Sequence, residues 1–442
     1  MQFVRVFFVP LLILIMTVDM VFFRFLLKAS RGMGMSIYFW IVAMALEYYS
    51  FHAFRSLSKS KLSLWIYIGV HVLLYGSIFY FSMNERQGFS SPNFKRLIIL
   101  LSLFIVPKVF LAFTLILDDI LRIFQYTFLS TQTSEAIEIP SRRKVVSLLG
   151  LGLAAIPFLG VLDGIFRGKY RYRVIRKTVY FEDLPAAFEG FTITQLSDIH
   201  AGSFDDIEKV DYGIKLAAQQ NSDILVFTGD MVNNEAYELA PFVDMFSQLN
   251  AKDGMFSILG NHDYGDYGEL TDAQKAESVA SLQAMQENIG FKMLNNARHT
   301  IEREGQRLNI IGVENWGHSS FFPKKGDLNK ATEGVQQDDF NVLLSHDPSH
   351  FDHDLEDHPN VINYEKKLHL TLSGHTHGMQ FGIEIPGFVK WSPVKYRYEN
   401  WAGLHEKNGR KLYVNRGFGF LAFPGRVGMW PEVTVLELRK KA

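Results

Sequence analysis

Phe191-Thr192-Ile193-Thr194-Gln195-Leu196-Ser197-Asp198-Ile199-His200 opens as a short β-like run to Leu196 and then breaks into a segment holding small, acidic and imidazole residues. Such a run reads as a strand, and the polar residues past its end belong to the loop that leaves it. The arrangement recurs. Residues 224–227 lead to Gly229-Asp230, 256–259 to Gly260-Asn261-His262-Asp263, 340–344 to Ser345-His346-Asp347, and 368–372 to Gly374-His375-Thr376-His377-Gly378. Further strand-like runs cover 308–313, 412–414 and 433–438, while 206–219, 237–249 and 272–288 have the period of amphipathic helices. This mixture predicts an α/β domain, a class that builds its sites from loops at strand ends.

The residues in those loops are metal-capable. Asp198 and His200 are two apart, so on an extended segment both face one side and can hold one ion; His375 and His377 repeat that spacing. The Asp230 carboxylate has two oxygens with which to bridge two cations. The chain has no cysteine, which removes disulfides, thiolate sites and cysteine nucleophiles and leaves His, Asp, Glu and Asn as donors. Such oxygen and imidazole donors suit Mn, Fe or Zn better than Ca or Cu(I). Glycines 229, 260, 374 and 378 permit tight turns and close approach of substrate. Each fragment alone is weak, since a lone Asp-x-His or Gly-Asp is more often turn chemistry. His350, His353 and His358, with Asp352, Asp354, Glu356 and Asp357, have no strand-like run behind them and read as a hydrated loop.

Upstream, the texture changes. Residues 6–23, 36–54, 62–83, 97–117 and 145–166 are almost wholly apolar, each near the roughly 20 residues that a membrane-crossing helix needs. They predict a transmembrane region of about five helices over 1–166. The first has no small-residue cleavage site after it and is expected to be retained. Asp19, Glu47, Lys108, Asp118 and Asp119 lie in or beside these spans and are expected to pair between helices or reach the interface rather than line a transport path. The basic stretch 167–177 reads either as a linker lying on anionic head groups or as a solvated linker or edge strand with alternating arginine and aromatic residues. A formal net charge of −1 gives no reason to expect nucleic acid as a partner, and nothing implies a protein partner.

Taken in order, the five loop fragments resemble the calcineurin-like metallophosphoesterase superfamily, over residues 178–442. The resemblance implies a sandwich of two mixed sheets flanked by helices and a hydrolase of phosphoester or pyrophosphate bonds using two divalent metal ions. Asp198, His200, Asp230 and His377 would hold one ion, and Asp230, Asn261, His346 and His375 the other. Two such cations lower the pKa of a shared water and neutralise the phosphoryl oxygens. His262 would act on the leaving group, oriented by Asp263. The segments Asp183-Leu184-Pro185 and Phe188-Glu189-Gly190, the tail Asn415-Arg416-Gly417-Phe418-Gly419 and the pair Pro431-Glu432 look like a membrane-associated branch similar to UDP-2,3-diacylglucosamine pyrophosphatases and bacterial phosphodiesterases. Met379 departs from that branch, which often has a second glycine there. The anchor favours a lipid-linked or membrane-proximal substrate.

Two other classes compete. A membrane sensor or transporter regulated by the metal domain would show charges at matched positions of repeated halves, which the sequence does not show. A purely structural metal module has no use for His262. The aromatic run Trp391, Tyr396, Tyr398 and Trp401 fits packing of a β-rich lid as well as stacking on a sugar or base or dipping into lipid. For placement, a bacterial cell membrane is expected. Ser141-Arg142-Arg143-Lys144 before the last apolar segment resembles an internal twin-arginine signal, and as a plain basic anchor it also prefers the cytoplasm. Either way the catalytic domain is expected on the exported side.

Overall fold

A computed structural model of the chain describes residues 37–84, 91–129, 139–319, 322–354, 368–385 and 387–441. Two compact units divide the chain, Met1–Gly164 and Ile165–Ala442. The apolar segment expected at 6–23 lies outside the described residues, as does most of the loop holding His358.

In the first unit, α1 (Ile37–Leu57) and α2 (Lys61–Met83) precede α3 (Pro92–Leu100), which runs through a π-helical turn (Leu101–Ile105) into α4 (Val106–Leu129); α5 (Ile139–Phe166) follows. Ser91 starts α3 by accepting from the Phe94 N–H, with Pro92 at the first helical position where its missing donor costs nothing. Three stretches, Lys61–Met83, Pro92–Phe128 and Arg142–Phe166, are long and apolar enough to cross a membrane. α1, which carries Glu47, His52 and Arg55, is not among them, so fewer of the expected spans meet that standard among the described residues. Among the described residues the ionisable side chains pair as expected, Asp19 lying outside them. Lys108 Nζ lies 2.5 Å from Glu47 Oε2, and the hydroxyls of Tyr67 and Tyr75 also donate to that carboxylate. Arg142 meets Asp118 at 3.0 Å, and Arg143 meets Asp119 at 2.7 Å.

The second unit is a two-sheet sandwich. One sheet has the order β1 (Arg173–Phe181), β14 (Glu432–Lys440), β2 (Thr192–Leu196), β3 (Ile224–Phe227), β4 (Met255–Ser257), β5 (Phe291–Met293). The other runs β12 (Gly403–Lys407), β13 (Arg410–Val414), β9 (Leu370–Ser373), β8 (Phe340–Leu344), β7 (Gln306–Gly312), β6 (Ala297–Arg303). A separate hairpin joins β10 (Ile383–Ile385) to β11 (Val389–Trp391). β2 to β5 are mutually parallel, as are β7, β8, β9 and β13. Antiparallel neighbours make both sheets mixed.

Side-chain alternation assembles the layers. Ile224 and Val226 of β3 and Leu308 and Ile310 of β7 turn into one inter-sheet core with Phe188, Phe256 and Leu370. Leu225 and Phe227 turn outward, onto Val210 and Ile214 of α6 (Ile207–Ala218) and Leu282 of the helix Asp272–Ile289. The basic stretch is not wholly a linker, because from Arg173 it forms β1, an edge strand paired along its length with β14. Residues 237–249, expected as one helix, break into short turns and the single helical turn Val243–Phe246, since Pro241 removes a donor and blocks the preceding turn.

The Lys108–Glu47 pair gives a test. Lys108→Met strands a partly buried carboxylate and should cost about 3–5 kcal/mol, while adding Glu47→Gln should recover most of the loss. Thermal retention of fold in detergent for the two single and the double variant measures this, and a double variant no better than Lys108→Met sinks it.

Candidate metal centre

The strand ends converge. β2, β3 and β4 deliver Asp198 with His200, Asp230, and Asn261 to Asp263; β8 and β9 deliver His346, and His375 with His377. Two groups of ligand-capable atoms result, Asp198–His200–His377 and Asp230–His346–His375. In the first, His200 Nε2 and His377 Nε2 are 3.0 Å apart and His377 Nε2 is 3.2 Å from Asp198 Oδ1. In the second, His346 Nε2 is 3.1 Å from Asp230 Oδ2, and His375 Nδ1 lies 3.3 Å from His346 Nε2 and 2.9 Å from Asn261 Oδ1. His200 Nε2 stands 3.6 Å from Asp230 Oδ2, which places that carboxylate between the groups.

Local backbone explains how residues two apart are used. Asp198, His200, Asp230, His375 and His377 all have positive φ, between 49° and 69°. Left-handed backbone is uncommon outside glycine and costs of order 1 kcal/mol, so five such residues at one site mark a functional constraint. The segment carrying His375 and His377 is therefore not extended, and the two rings go to different groups instead of sharing one ion. Gly260 is needed because a Cβ there would stand 2.2 Å from Asp230 Oδ1, and one at Gly374 would stand 1.9 Å from Ser197 Oγ. Met379 adopts φ 48°, the backbone that the branch's second glycine would take freely.

The donor chemistry fits divalent cations. Imidazole nitrogens and buried carboxylates face one another at these distances, and His200 Nδ1 is buried with no hydrogen-bond partner. Burial would raise the Asp198 carboxyl, but the charge and hydrogen bond of His377 hold it well below the usual carboxylate range. Asp230 is likewise held down by His346 and His262 against burial. Burial drives His200 well below its ordinary value. It also opposes charging of His346, yet the Asp230 carboxylate raises that ring to about 10. A cation taking the His346 nitrogen therefore displaces a proton.

The supporting contacts fix each ring. His346 Nδ1 donates to the Thr228 carbonyl at 2.7 Å, leaving Nε2 toward Asp230. His375 Nε2 lies 2.9 Å from the Tyr398 hydroxyl, which donates to Asp347. His262 Nδ1 donates to the Asn233 carbonyl at 2.8 Å, and Tyr267 stacks on its face. Here the expectation for Asp263 fails. Its carboxylate accepts from the backbone N–H groups of Asp230, Met231, Val232 and Gly260, so it clamps the Asp230 loop and does not orient His262. Asn233, Tyr267 and Tyr398 were not singled out for these parts; an aromatic run around Tyr398 was the nearest signal. Trp401 and Tyr398 are buried, in keeping with packing.

The tail motif supports the Asp198 loop. Phe418 N donates to Ser197 O and Gly419 N to Asp198 O, at 2.8 and 2.9 Å. Arg416 bridges Glu384 and buried Glu432 at 2.7 and 2.5 Å. Arg426, fully buried, donates to the carbonyls of Gly417 and Gly419 and reaches 3.2 Å from His377 Nδ1. Burial pushes its guanidinium down to about 10, still charged at neutral pH.

Two mixed sheets with histidine and carboxylate loops at the ends of their parallel strands define a metal-dependent phosphoesterase. Residues 191–379 match the family "Calcineurin-like phosphoesterase", and residues 31–169 match "Probable Calcineurin-like phosphoesterase, transmembrane domain". The chain belongs to the calcineurin-like metallophosphoesterases, as a membrane-associated member. It is 29% identical to the uncharacterized metallophosphoesterase YkuE of Bacillus subtilis, covering 58% of this chain and 82% of that protein. An uncharacterized metallophosphoesterase of Helicobacter pylori is 25% identical over 92% of this chain and 99% of its own length. UDP-2,3-diacylglucosamine pyrophosphatase LpxG of Chlamydia trachomatis is 27% identical, covering 59% of this chain and 88% of that protein.

If Asp230 serves both groups, Asp230→Asn should lower bound metal further than His200→Ala does and reduce phosphodiester turnover by at least about a hundredfold. Metal analysis of the purified variants decides this. Normal metal content with full turnover in Asp230→Asn would overturn the shared position.

Proposed function

We propose that the chain hydrolyses a phosphodiester or pyrophosphate bond in a lipid-linked substrate, with its catalytic unit on the exported face of a bacterial cell membrane. The observation that carries the reading is the pair of adjoining histidine–carboxylate groups, with Asp230 of the second facing His200 of the first, in a chain with apolar helices upstream. Its likeness to a pyrophosphatase named for a diacylated nucleotide sugar supports the lipid class.

Asp198, His200, Asp230 and His377 would hold one divalent ion, and Asp230, Asn261, His346 and His375 the other; Mn, Fe and Zn all suit these donors. When bound, the ions supply water activation and neutralisation of phosphoryl charge. The protein's own part is positional. The Asn233 carbonyl and the Tyr267 ring hold His262 with Nδ1 protonated, which leaves Nε2 as the ring nitrogen for the leaving-group oxygen. Burial pulls this ring's pKa down, so it rests neutral at pH 7 and must gain a proton during turnover to act as an acid. Asp263 fixes the Asp230 loop through three of its backbone N–H groups and its own loop through that of Gly260.

Three measurements test these statements. Purified full-length protein with Mn, Fe or Zn is assayed against UDP-diacylglucosamine, glycerophospholipids, nucleotides and a chromogenic phosphodiester; preference for the nucleotides would overturn the lipid reading. His262→Ala should retain its metal and lose turnover most on alkyl leaving groups, by roughly 10²–10⁴-fold, whereas equal losses on every leaving group would exclude proton donation. For sidedness, the cysteine-free chain allows a single cysteine at Ser134 or Lys440 to be labelled in intact cells with an impermeant thiol reagent. Labelling at 440 and not at 134 is expected, and the reverse puts the catalytic unit in the cytoplasm.

A further inference from the structure

The β10–β11 hairpin has its polarity reversed relative to a soluble surface. Its register pairs Ile383 with Trp391, Glu384 with Lys390 and Ile385 with Val389. Opposite residues of an antiparallel pair share a face, so Ile383, Ile385, Val389 and Trp391 line one side and Glu384 and Lys390 the other. The polar side, though also exposed, is tied back to the domain. Glu384 accepts from Arg416 at 2.7 Å, and the Lys390 ammonium donates to the Ala402 carbonyl and lies 5.0 Å from the Trp401 ring centroid. The apolar side faces outward, with Ile383 53%, Ile385 51% and Val389 37% exposed, and Phe388 at the tip 84% exposed. Two branched aliphatic residues and a phenylalanine held in water on a three-residue hairpin need a partner surface.

The root of the hairpin identifies that surface. Gly382 N donates to Val427 O at 2.9 Å, and Gly428 packs so closely on Gly382 that a Cβ would stand 2.0 Å from its carbonyl oxygen. The same segment meets the start of the soluble fold, since a Cβ on Gly168 would lie 2.2 Å from Arg426 O and 2.9 Å from the Trp430 ring. Arg171 and Arg173 lie over that indole, 4.5 and 5.4 Å from its centroid. The last apolar helix ends at Phe166. The hairpin thus springs from a segment that packs on the first residues of the catalytic unit, beside a tryptophan and arginines of the kind that settle among lipid head groups.

The hairpin is also tied to the metal loop. It follows the turn His377–Gln380 directly, and Ser392 Oγ, just past β11, donates to Gly378 O at 2.7 Å. We infer that the β10–β11 hairpin docks on the bilayer, inserting Ile383, Ile385 and Phe388 at the boundary between head groups and acyl chains, so that the His375–His377 loop takes its phosphoester from lipid. Docking itself stands on the hairpin; delivery of a lipid-borne phosphoester rests on the function proposed above.

The experiment separates the two. In the full chain, Phe388→Cys, or Glu304→Cys at the exposed β6–β7 turn as control, carries an environment-sensitive fluorophore in nanodiscs of phosphatidylethanolamine and phosphatidylglycerol with brominated acyl chains. Quenching at 388 and none at 304 is expected. An unquenched probe at 388 overturns docking, including the case of a blue-shifted but unquenched probe, which would mean that another protein covers the hairpin. Separately, Ile385→Ser with Phe388→Ser should lower kcat/KM on a bilayer-borne phosphodiester by roughly tenfold or more and leave a soluble chromogenic phosphodiester unchanged. Equal rates of variant and parent on bilayer-borne substrate would overturn delivery. Absence of any lipid turnover in the parent would fault the proposed function and leave the quenching result standing.

Discussion

Asp230 is a carboxylate buried at the heart of a protein, and much of the catalytic unit is arranged around keeping it there. It receives the His262 N–H at 2.8 Å and faces ring nitrogens of His346 and His200. Removing a charge from water is expensive unless opposite charge and hydrogen bonds replace the lost hydration. The loop must therefore curl so that backbone and imidazoles converge on it, and that curl demands left-handed residues. Asp263 holds the curl in place by gathering three N–H groups that the loop cannot pair with itself, along with that of Gly260 from its own loop. Gly260 supplies the space, since any larger residue would strike the Asp230 oxygens.

A second layer secures Asp198. The segment from Asn415 to Gly419 lies against Ser197 and Asp198 through main-chain hydrogen bonds, and Arg426 ties its carbonyls from behind. An arginine with carbonyl partners keeps its positive charge close to Asp198 and His377, where it favours the ionised carboxylate. Arg416 and Glu432 lock the end of this segment to β14. The tail motif is thus understandable as packing support for one ligand loop, reached from the far end of the chain.

The candidate site residues were legible because each sits directly after a strand-like run, and such a run is a local signal. Asp198, Asp230, Asn261, His346, His375 and His377 could be read from that placement and from the family pattern. Spacing alone does not tell how they are shared; the family pattern does, giving His377 to one ion and His375 to the other. Two-residue spacing implies a common side only for extended backbone, and the segment carrying His375 and His377 is left-handed, with φ of 69° and 50°. The partner of His262 was hidden for another reason, since a backbone carbonyl such as that of Asn233 carries no residue identity. Asp263 misled because the resemblance implied an orienting role, while its carboxylate is taken up by backbone N–H groups. β1 was legible as one of two readings of the basic stretch, because alternating arginines suit an exposed edge strand as well as a linker. Pro241 was in plain view and argued against a continuous helix over 237–249. The hairpin was legible only as aromatic residues, because its reversed polarity depends on Arg416, distant in sequence, capturing Glu384.

Chemically identical imidazoles are sorted at this site by which nitrogen the protein claims. Thr228 O takes Nδ1 of His346 and turns Nε2 inward; Tyr398 takes Nε2 of His375 and turns Nδ1 inward. His262 resembles His346 in having Nδ1 bound to a carbonyl, yet neither of the two ligand groups contains it. What sets it apart is its loop. Its own N–H, not its ring, is spent on Asp230, and Tyr267 covers its face, so the ring stands beside the centre rather than within it. In the proposed reading, that placement lets a ligand, Asn261, and an acid–base group, His262, occupy neighbouring positions without competing for the same ion.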